Sequence, residues 1–369
     1  MKKILLNVKR IAFTTLNKLW QGVCRRLPLK NRVFFYTIRD NGKLLDNIRL
    51  VYEGIDCEKV VFAHKLPHNF KIKPRLYYYL LTSRVIVTDD YLRYLRAVKL
   101  RDGQKVLQLW HACGAFKMFG LDAPSRLTPQ EERATHSQYT AVAVSSEKCR
   151  KPYAGAFGIS EEKCLPIGVA RTDLLLDRAE SERMSKEVYA DNPCLEGKKI
   201  YLYCPTFRED NGVICPFDPK IDWTRLDEAL EDDELFVIRR HPHMKEEFFS
   251  GNLRHVVDLT SESTLKLIYV CDVLITDYSS VIFDAALLNK PMVFYCPDLK
   301  NYERSFYLKY PDELPGEAVM TATEILPAVR AAKENPPVER IESFRSGEIS
   351  SCDGHSTERA VALVKSWLS

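Results

Sequence analysis

The sequence predicts an α/β protein of two facing doubly wound domains with a cleft between them. Three observations carry this. Short apolar strand candidates alternate with helical segments, the alternation stops once at a polar stretch spanning residues 177–199, and it then restarts to give a second half of comparable size. A chain of 369 residues has room for about two domains. With 46% hydrophobic and 11% aromatic residues it can fill two cores, which excludes a largely disordered protein.

Residues 1–30 read as a unit of their own. Eight residues between Met1 and Lys30 are Lys or Arg, and the first acid is Asp40. Leu5, Val8, Ala12, Leu16, Leu19 and Val23 recur at helical spacing, flanked by Lys2, Lys3, Lys9, Arg10, Lys18, Arg25 and Arg26, with Trp20 beside them. This is the pattern of a basic amphipathic helix lying on an anionic membrane surface. Lys9 and Arg10 interrupt the apolar run before the ~20 residues of a spanning helix accumulate. No small-residue cleavage site follows, so a removed leader is disfavoured as well. The plainer reading is a helix packed on the protein's own surface.

The first α/β domain is expected over residues 31–178. Its strand candidates are Arg32–Ile38, Lys59–His64, Arg84–Thr88, Val106–Trp110, Ala141–Val144 and Leu165–Gly168, with helices such as Leu76–Leu81 and Tyr91–Val98 between them. The segment from Asp177 to Lys199 is polar and contains Asn192-Pro193 and Glu196-Gly197, which read as turns in a connection. The second domain, residues 190–345, offers Lys199–Tyr203, Leu235–Arg239, His255–Asp258, Val273–Thr276 and Met292–Tyr295 as strands. Trp223–Leu230, Ser263–Val270 and Val281–Leu288 are its helices. Residues 346–369 close the chain with an amphipathic helix from Ser356 to Leu368. The eleven cysteines form no CxxC pair and no zinc-type cluster, so they read as reduced, mostly buried thiols. No GxGxxG follows the first strand, which disfavours a dinucleotide oxidoreductase. The net charge of +4, with acids interspersed from residue 40 onward, argues against a nucleic-acid binder.

In open parallel sheets ligands bind beyond the carboxyl ends of the strands, and here those turns carry reactive side chains. His111 follows the fourth strand, with Lys117 a few residues on, and Arg171 follows the sixth. Pro205, Thr206 and Arg208 follow the first strand of the second domain; Arg239, Arg240 and His241 follow its second; Asp277, Ser279, Ser280 and Asp284 follow its fourth. Each alone has a plain explanation: a structural histidine, an Arg171–Asp173 pair, a solvated turn at Arg208–Asp210, or helix-capping serines. Together they suit a diphosphate flanked by cations and hydroxyls. His241 and His243 make only two metal ligands with no third at suitable spacing, so no metal site is expected.

Trp110-His111 with Lys117 and Gly120, the Arg171–Asp173 segment, Tyr203–Arg208, Arg240–Pro242 and Ile275–Asp284 followed by Lys290-Pro291 and Tyr295 resemble the CDP-glycerol glycerophosphotransferase family of wall teichoic acid synthesis. Phe306-Tyr307 and Pro315-Gly316 fit its later pattern, so the resemblance runs over residues 31–345. It implies a GT-B-like pair of Rossmann-type domains held peripherally at the cytoplasmic face of the membrane. The implied reaction moves glycerol phosphate from CDP-glycerol to a hydroxyl of a polyprenyl-diphosphate-linked saccharide acceptor, releasing CMP. The alternatives are CDP-ribitol as donor or a UDP-sugar-dependent enzyme of the same fold. The resemblance makes His111 the general base or acceptor-side histidine and His241 the second functional histidine beside the diphosphate. It makes Arg171, Pro205, Thr206, Arg208, Arg239, Arg240, Ser279, Ser280 and Asp284 the donor contacts, with Lys117 and Asp277 as further candidates. No cofactor is implied as a requirement, and Mg²⁺ accompanying the diphosphate is compatible. After its first histidine the family commonly has Gly-Thr-Pro-Leu-Lys, whereas Ala112–Lys117 is one residue longer here. The chain's length suits members that add the first glycerol phosphate, a few successive additions staying open, and oligomeric state is left open.

Overall fold

Each half of the chain folds around a six-stranded parallel sheet. A computed structural model describes residues 2–39, 43–63, 73–123, 127–210, 213–302 and 304–369. The side chains of Lys2, Lys3, Lys9 and Arg10 lie outside that description, as do Asp40 and His64.

Helix α1 (Lys2–Arg26) leads into β1 (Lys30–Thr37), α2 (Asp46–Glu53), β2 (Glu58–Ala63), α3 (Lys73–Thr82), β3 (Ser83–Thr88) and β4 (Lys105–Gln108). Then come α4 (Pro129–His136), β5 (Ala141–Ala143), α5 (Arg150–Phe157), β6 (Cys164–Leu165) and α6 (Thr172–Leu176). The strand order is β2-β1-β3-β4-β5-β6, so the sheet reverses direction of growth between β1 and β3. Val33, Phe34, Phe35, Val85, Ile86 and Val87 are fully buried on both faces, which is why these strands read as continuous apolar runs and not as alternating ones.

Helix α7 (Arg178–Asp191) connects the halves. The sequence suggests an irregular connection there, and the structure corrects it. Asp177 caps the helix by accepting from the Glu180 amide, and Arg178–Glu182 and Arg183–Glu180 pairs run along it. Val188 is its fully buried anchor. With one such anchor, the 3.6-residue period is too faint to read.

The second sheet comprises β7 (Lys199–Cys204), β10 (Glu234–Ile238), β11 (Val256–Asp258), β12 (Val273–Thr276), β13 (Met292–Tyr295) and β14 (Glu317–Val319), after the intervening hairpin β8 (Arg208–Asp210)–β9 (Val213–Cys215). Its helices are α8 (Trp223–Ala229), α9 (Thr264–Val270), α10 (Val281–Leu287), α11 (Ala322–Glu334) and α12 (Val338–Glu348). The order β11-β10-β7-β12-β13-β14 puts its reversal between β7 and β12. Arg208–Asp210, whose plainer explanation is a solvated turn, is a strand, and three-residue β14 is too short to stand out. Tyr91–Val98 holds only a 3₁₀ turn at Arg93–Arg96. The boundary expected at residue 345 falls inside α12.

Helix α13 (Ser356–Ser366) returns to the first sheet, where Ala360 and Val364 join the core around Val33 and Val85. Asp173 caps it, accepting from the Ser356 and Thr357 amides at 3.0 and 2.7 Å. Arg171 pairs instead with Asp284 of α10, at 2.8 Å. Arg171, beyond β6 of the first sheet, and Asp284, beyond β12 of the second, thus meet between the two halves.

Candidate functional site

The base of the site is set by the turn after β4. Asn47, buried in α2, donates to the Trp110 carbonyl at 2.9 Å and accepts from the Arg171 amide at 2.8 Å. Trp110 is held at φ 53°, a left-handed conformation that a bulky side chain rarely adopts. Its ring packs on His111 at 4.2 Å and on Phe119 at 5.2 Å. The chain leaves the strand at this left-handed residue, and His111 beyond it lines the cavity between the two halves.

The following loop crosses to the other domain. Cys113 and Phe116 are buried in the second domain's core, and Phe116 meets Phe283 of α10 edge-on at 6.3 Å. Gly114 makes the crossing tight: it sits at φ +69°, and a Cβ there would lie 2.2 Å from the Phe283 ring. Gly114→Ala is expected to lower stability by about 2–5 kcal/mol, from left-handed strain plus overpacking, as a drop in thermal midpoint. An unchanged midpoint would mean that the loop does not hold the domains in register.

From the second domain, Asp277 orders the turns at the sheet's reversal point. Wholly buried, its Oδ1 accepts from the Thr206 and Tyr278 amides at 2.9 and 2.6 Å. Thr206 Oγ1 is buried with no hydrogen-bond partner among the described residues. Ser280 makes no side-chain cap to α10, while Ser279 Oγ accepts from the Val281 amide at 3.3 Å.

These turns enclose a cavity of about 280 Å³ whose lining includes His111, Lys117, Thr206, His241, Ser279, Ser280 and Arg304. The two histidines come from different domains and are fixed in opposite tautomers. His111 Nδ1 lies 3.2 Å from the Asp89 carbonyl oxygen, which can only accept, so Nδ1 carries the proton and Nε2 the lone pair. His241 Nδ1 accepts from the His243 amide at 3.2 Å, so in the neutral ring Nε2 carries the proton. Burial above all, then Arg39, pushes the His111 pKa down. Burial, His243 and neighbouring cations bring His241 to about 4. Both rings are neutral near pH 7. Burial also lowers Lys117 to about 8, against the pull of Asp277, so it remains mostly a cation there.

The expected donor contacts divide. Thr206, Ser279 and Ser280 line the cavity, whereas Pro205 is buried behind it. Arg208 is locked between Asp277 at 3.0 Å and Asp298 at 2.6 Å. Arg240 pairs with Asp258 at 2.9 Å, and Arg239 donates to the Glu262 and Arg240 carbonyls. Arg171 and Asp284 hold each other across the cleft. None of these five charged residues is among the lining residues. Asp277 acts as the organiser of the Thr206 and Tyr278 turns. Arg304 and Asn47 escaped the sequence reading because no strand-end pattern marks them, and Asp89, although it directly follows β3, acts on His111 through its backbone carbonyl, which no residue type signals. Among the described residues no group of three His, Cys, Asp or Glu side chains could hold a metal ion.

A sequence profile of the CDP-glycerol:poly(glycerophosphate) glycerophosphotransferases matches residues 25–366. The chain is 33% identical over 393 residues to the teichoic acid ribitol-phosphate primase of Bacillus spizizenii strain W23, covering 100% of this chain and 99% of that one. It is 33% identical to the teichoic acid poly(ribitol-phosphate) polymerase of the same strain, covering 93% of this chain but 57% of that relative. The Bacillus subtilis teichoic acid glycerol-phosphate primase is 28% identical over 302 residues, 79% of this chain and 76% of that one. Among solved structures the wall teichoic acid polymerase TagF superposes over 100% of this chain and 97% of that one with a TM-score of 0.77 at 21% identity. The UDP-GlcNAc 2-epimerase of Neisseria meningitidis does so over 91% and 100% with a TM-score of 0.58 at 13% identity.

Proposed function

Since the chain belongs to the CDP-glycerol:poly(glycerophosphate) glycerophosphotransferase family, we propose that it transfers a polyol phosphate from a CDP-polyol to a hydroxyl of a lipid-linked acceptor and releases CMP. The observation that carries this is the pair of neutral histidines, one from each domain, in opposite tautomers around one cavity with Lys117 and three hydroxyl side chains. In this reading His111 Nε2 takes the proton of the acceptor hydroxyl as its oxygen bonds to the β-phosphorus. The bond from that phosphorus to the bridging oxygen breaks, and CMP departs with the electron pair. His241 donates its Nε2–H to a phosphate oxygen. Lys117, Thr206, Ser279 and Ser280 answer the remaining charge. Arg171 and Asp284 pair with each other between the two domains and are not among the residues lining this cavity.

CDP-glycerol is the donor implied by the family pattern. The end-to-end match to a ribitol-phosphate primase supports CDP-ribitol equally well. Incubating the protein with CDP-glycerol, CDP-ribitol and UDP-GlcNAc, with and without a membrane-lipid acceptor fraction, tests the reading. Acceptor-dependent CMP from either CDP-polyol is expected. Nucleotide release from UDP-GlcNAc alone would overturn it.

The acceptor would be met at the cytoplasmic membrane surface. No helix among the described residues is long and apolar enough to cross a membrane. On α1, Asn17 and Cys24 are buried, whereas Leu16, Leu19 and Val23 are 62%, 64% and 46% exposed. Trp20 Nε1 donates to the Pro74 carbonyl at 2.7 Å and Arg25 to that of Lys99, which tie the helix to the first domain. An apolar stripe facing outward, with Lys18 and Arg26 beside it, supports attachment to anionic lipid. Leu16→Ser/Leu19→Ser/Val23→Ser is expected to cut sedimentation with phosphatidylglycerol vesicles roughly tenfold or more, with the fold unchanged. Wild-type sedimentation of that variant would refute this docking face.

A further inference from the structure

We propose that Arg304 clamps the donor's diphosphate and that Glu209 holds it aside until the donor arrives. This rests on the CDP-polyol reading and assigns a residue to that site. The cavity needs cations, yet the arginines at the strand ends already serve carboxylates and carbonyls: Arg171 on Asp284, Arg208 on Asp277 and Asp298, Arg240 on Asp258. Lys117 and Arg304 are the Lys and Arg side chains among the cavity-lining residues.

The backbone beside Arg304 is fixed. The Met118 amide donates to the Ser305 carbonyl at 2.9 Å and the Tyr307 amide to that of Phe116 at 2.8 Å, so the strap is laced to the first domain's loop on either side of Lys117. Tyr302, two residues earlier, stacks on Tyr278 at 3.6 Å. The Arg304 side chain is by contrast 48% exposed and paired with Glu209 on the β8–β9 hairpin. An exposed ion pair of this kind changes an equilibrium only a few-fold. A charge-assisted Arg–phosphate fork changes one roughly tenfold to a hundredfold. A diphosphate in the cavity therefore takes Arg304 from Glu209 with a rotation of the side chain alone. There it answers the negative charge beside Lys117.

Titration calorimetry of the full chain with CDP, which both candidate donors contain, tests this with Arg304→Ala, Arg304→Lys and Glu209→Gln. Arg304→Ala is expected to weaken CDP roughly tenfold or more, and Arg304→Lys less, since it keeps the charge and loses the fork. Glu209→Gln is expected to tighten CDP about two- to fivefold by releasing the arginine, an effect that a merely structural pair would not produce. Wild-type affinity in both Arg304→Ala and Glu209→Gln, or equal weakening in both, would overturn the proposal. If Arg304→Ala does not fold, Glu209→Gln decides alone. Failure of the wild-type protein to bind CDP would overturn the donor reading, and this assignment with it.

Discussion

His111→Asn should lower kcat by about 10²–10⁴-fold, the usual worth of a positioned general base, with the thermal midpoint close to wild type. Asn keeps a donor near the Asp89 carbonyl but has no basic nitrogen. The pH profile gives a second readout. Because burial and Arg39 depress the His111 pKa, its ring stays neutral below the ordinary histidine range. The acid limb of kcat/KM is therefore displaced to lower pH, and activity is lost only as pH falls through that depressed value. Lys117 sets the opposite limb: it is charged below about 8 and loses its proton above. A His111→Asn enzyme that keeps wild-type kcat and acid limb would remove the base assignment.

Arg208→Met should destabilise the second domain by about 3–5 kcal/mol, because it leaves wholly buried Asp277 without its cation. For domains of this size that corresponds to a fall of roughly 6–20 °C in thermal midpoint. Asp277 also accepts the Thr206 and Tyr278 amides, so the phosphate-facing turns loosen and donor KM rises as a consequence. Adding Asp277→Asn should recover part of the midpoint, since the stranded charge is then gone. If Arg208→Met kept its midpoint and raised only donor KM, Arg208 would contact the donor directly, as its place in the sequence pattern suggests.

The contrast between Arg208 and Thr206 shows where sequence reading reaches its limit. Both follow β7, and the strand-end rule brings both toward the cleft. Which of them faces the cavity depends on Asp298 and Asp277, 90 and 69 residues away, and no local pattern encodes those contacts. The same holds for Arg171, whose sequence neighbour Asp173 is taken up in capping α13 while its partner Asp284 comes from the other domain. Arg304 carries no strand-end signal, because its strap joins the cavity through backbone pairing with residues 116–118 and through stacking of Tyr302 on Tyr278.

The sequence by itself determined the two parallel sheets, because strands buried on both faces must be continuously apolar and the helices between them must be periodic. It also determined that His111, Thr206, His241, Ser279 and Ser280 lie at the carboxyl ends of those strands. Only the tertiary structure decided which charges are spent on holding the domains and which face the cavity. Ion pairing is non-local, and a buried carboxylate takes whichever cation the fold brings to it. Tertiary structure likewise set the His111 tautomer, through the Asp89 carbonyl on the neighbouring strand end, whereas the His241 tautomer follows from the local His243 amide two residues on.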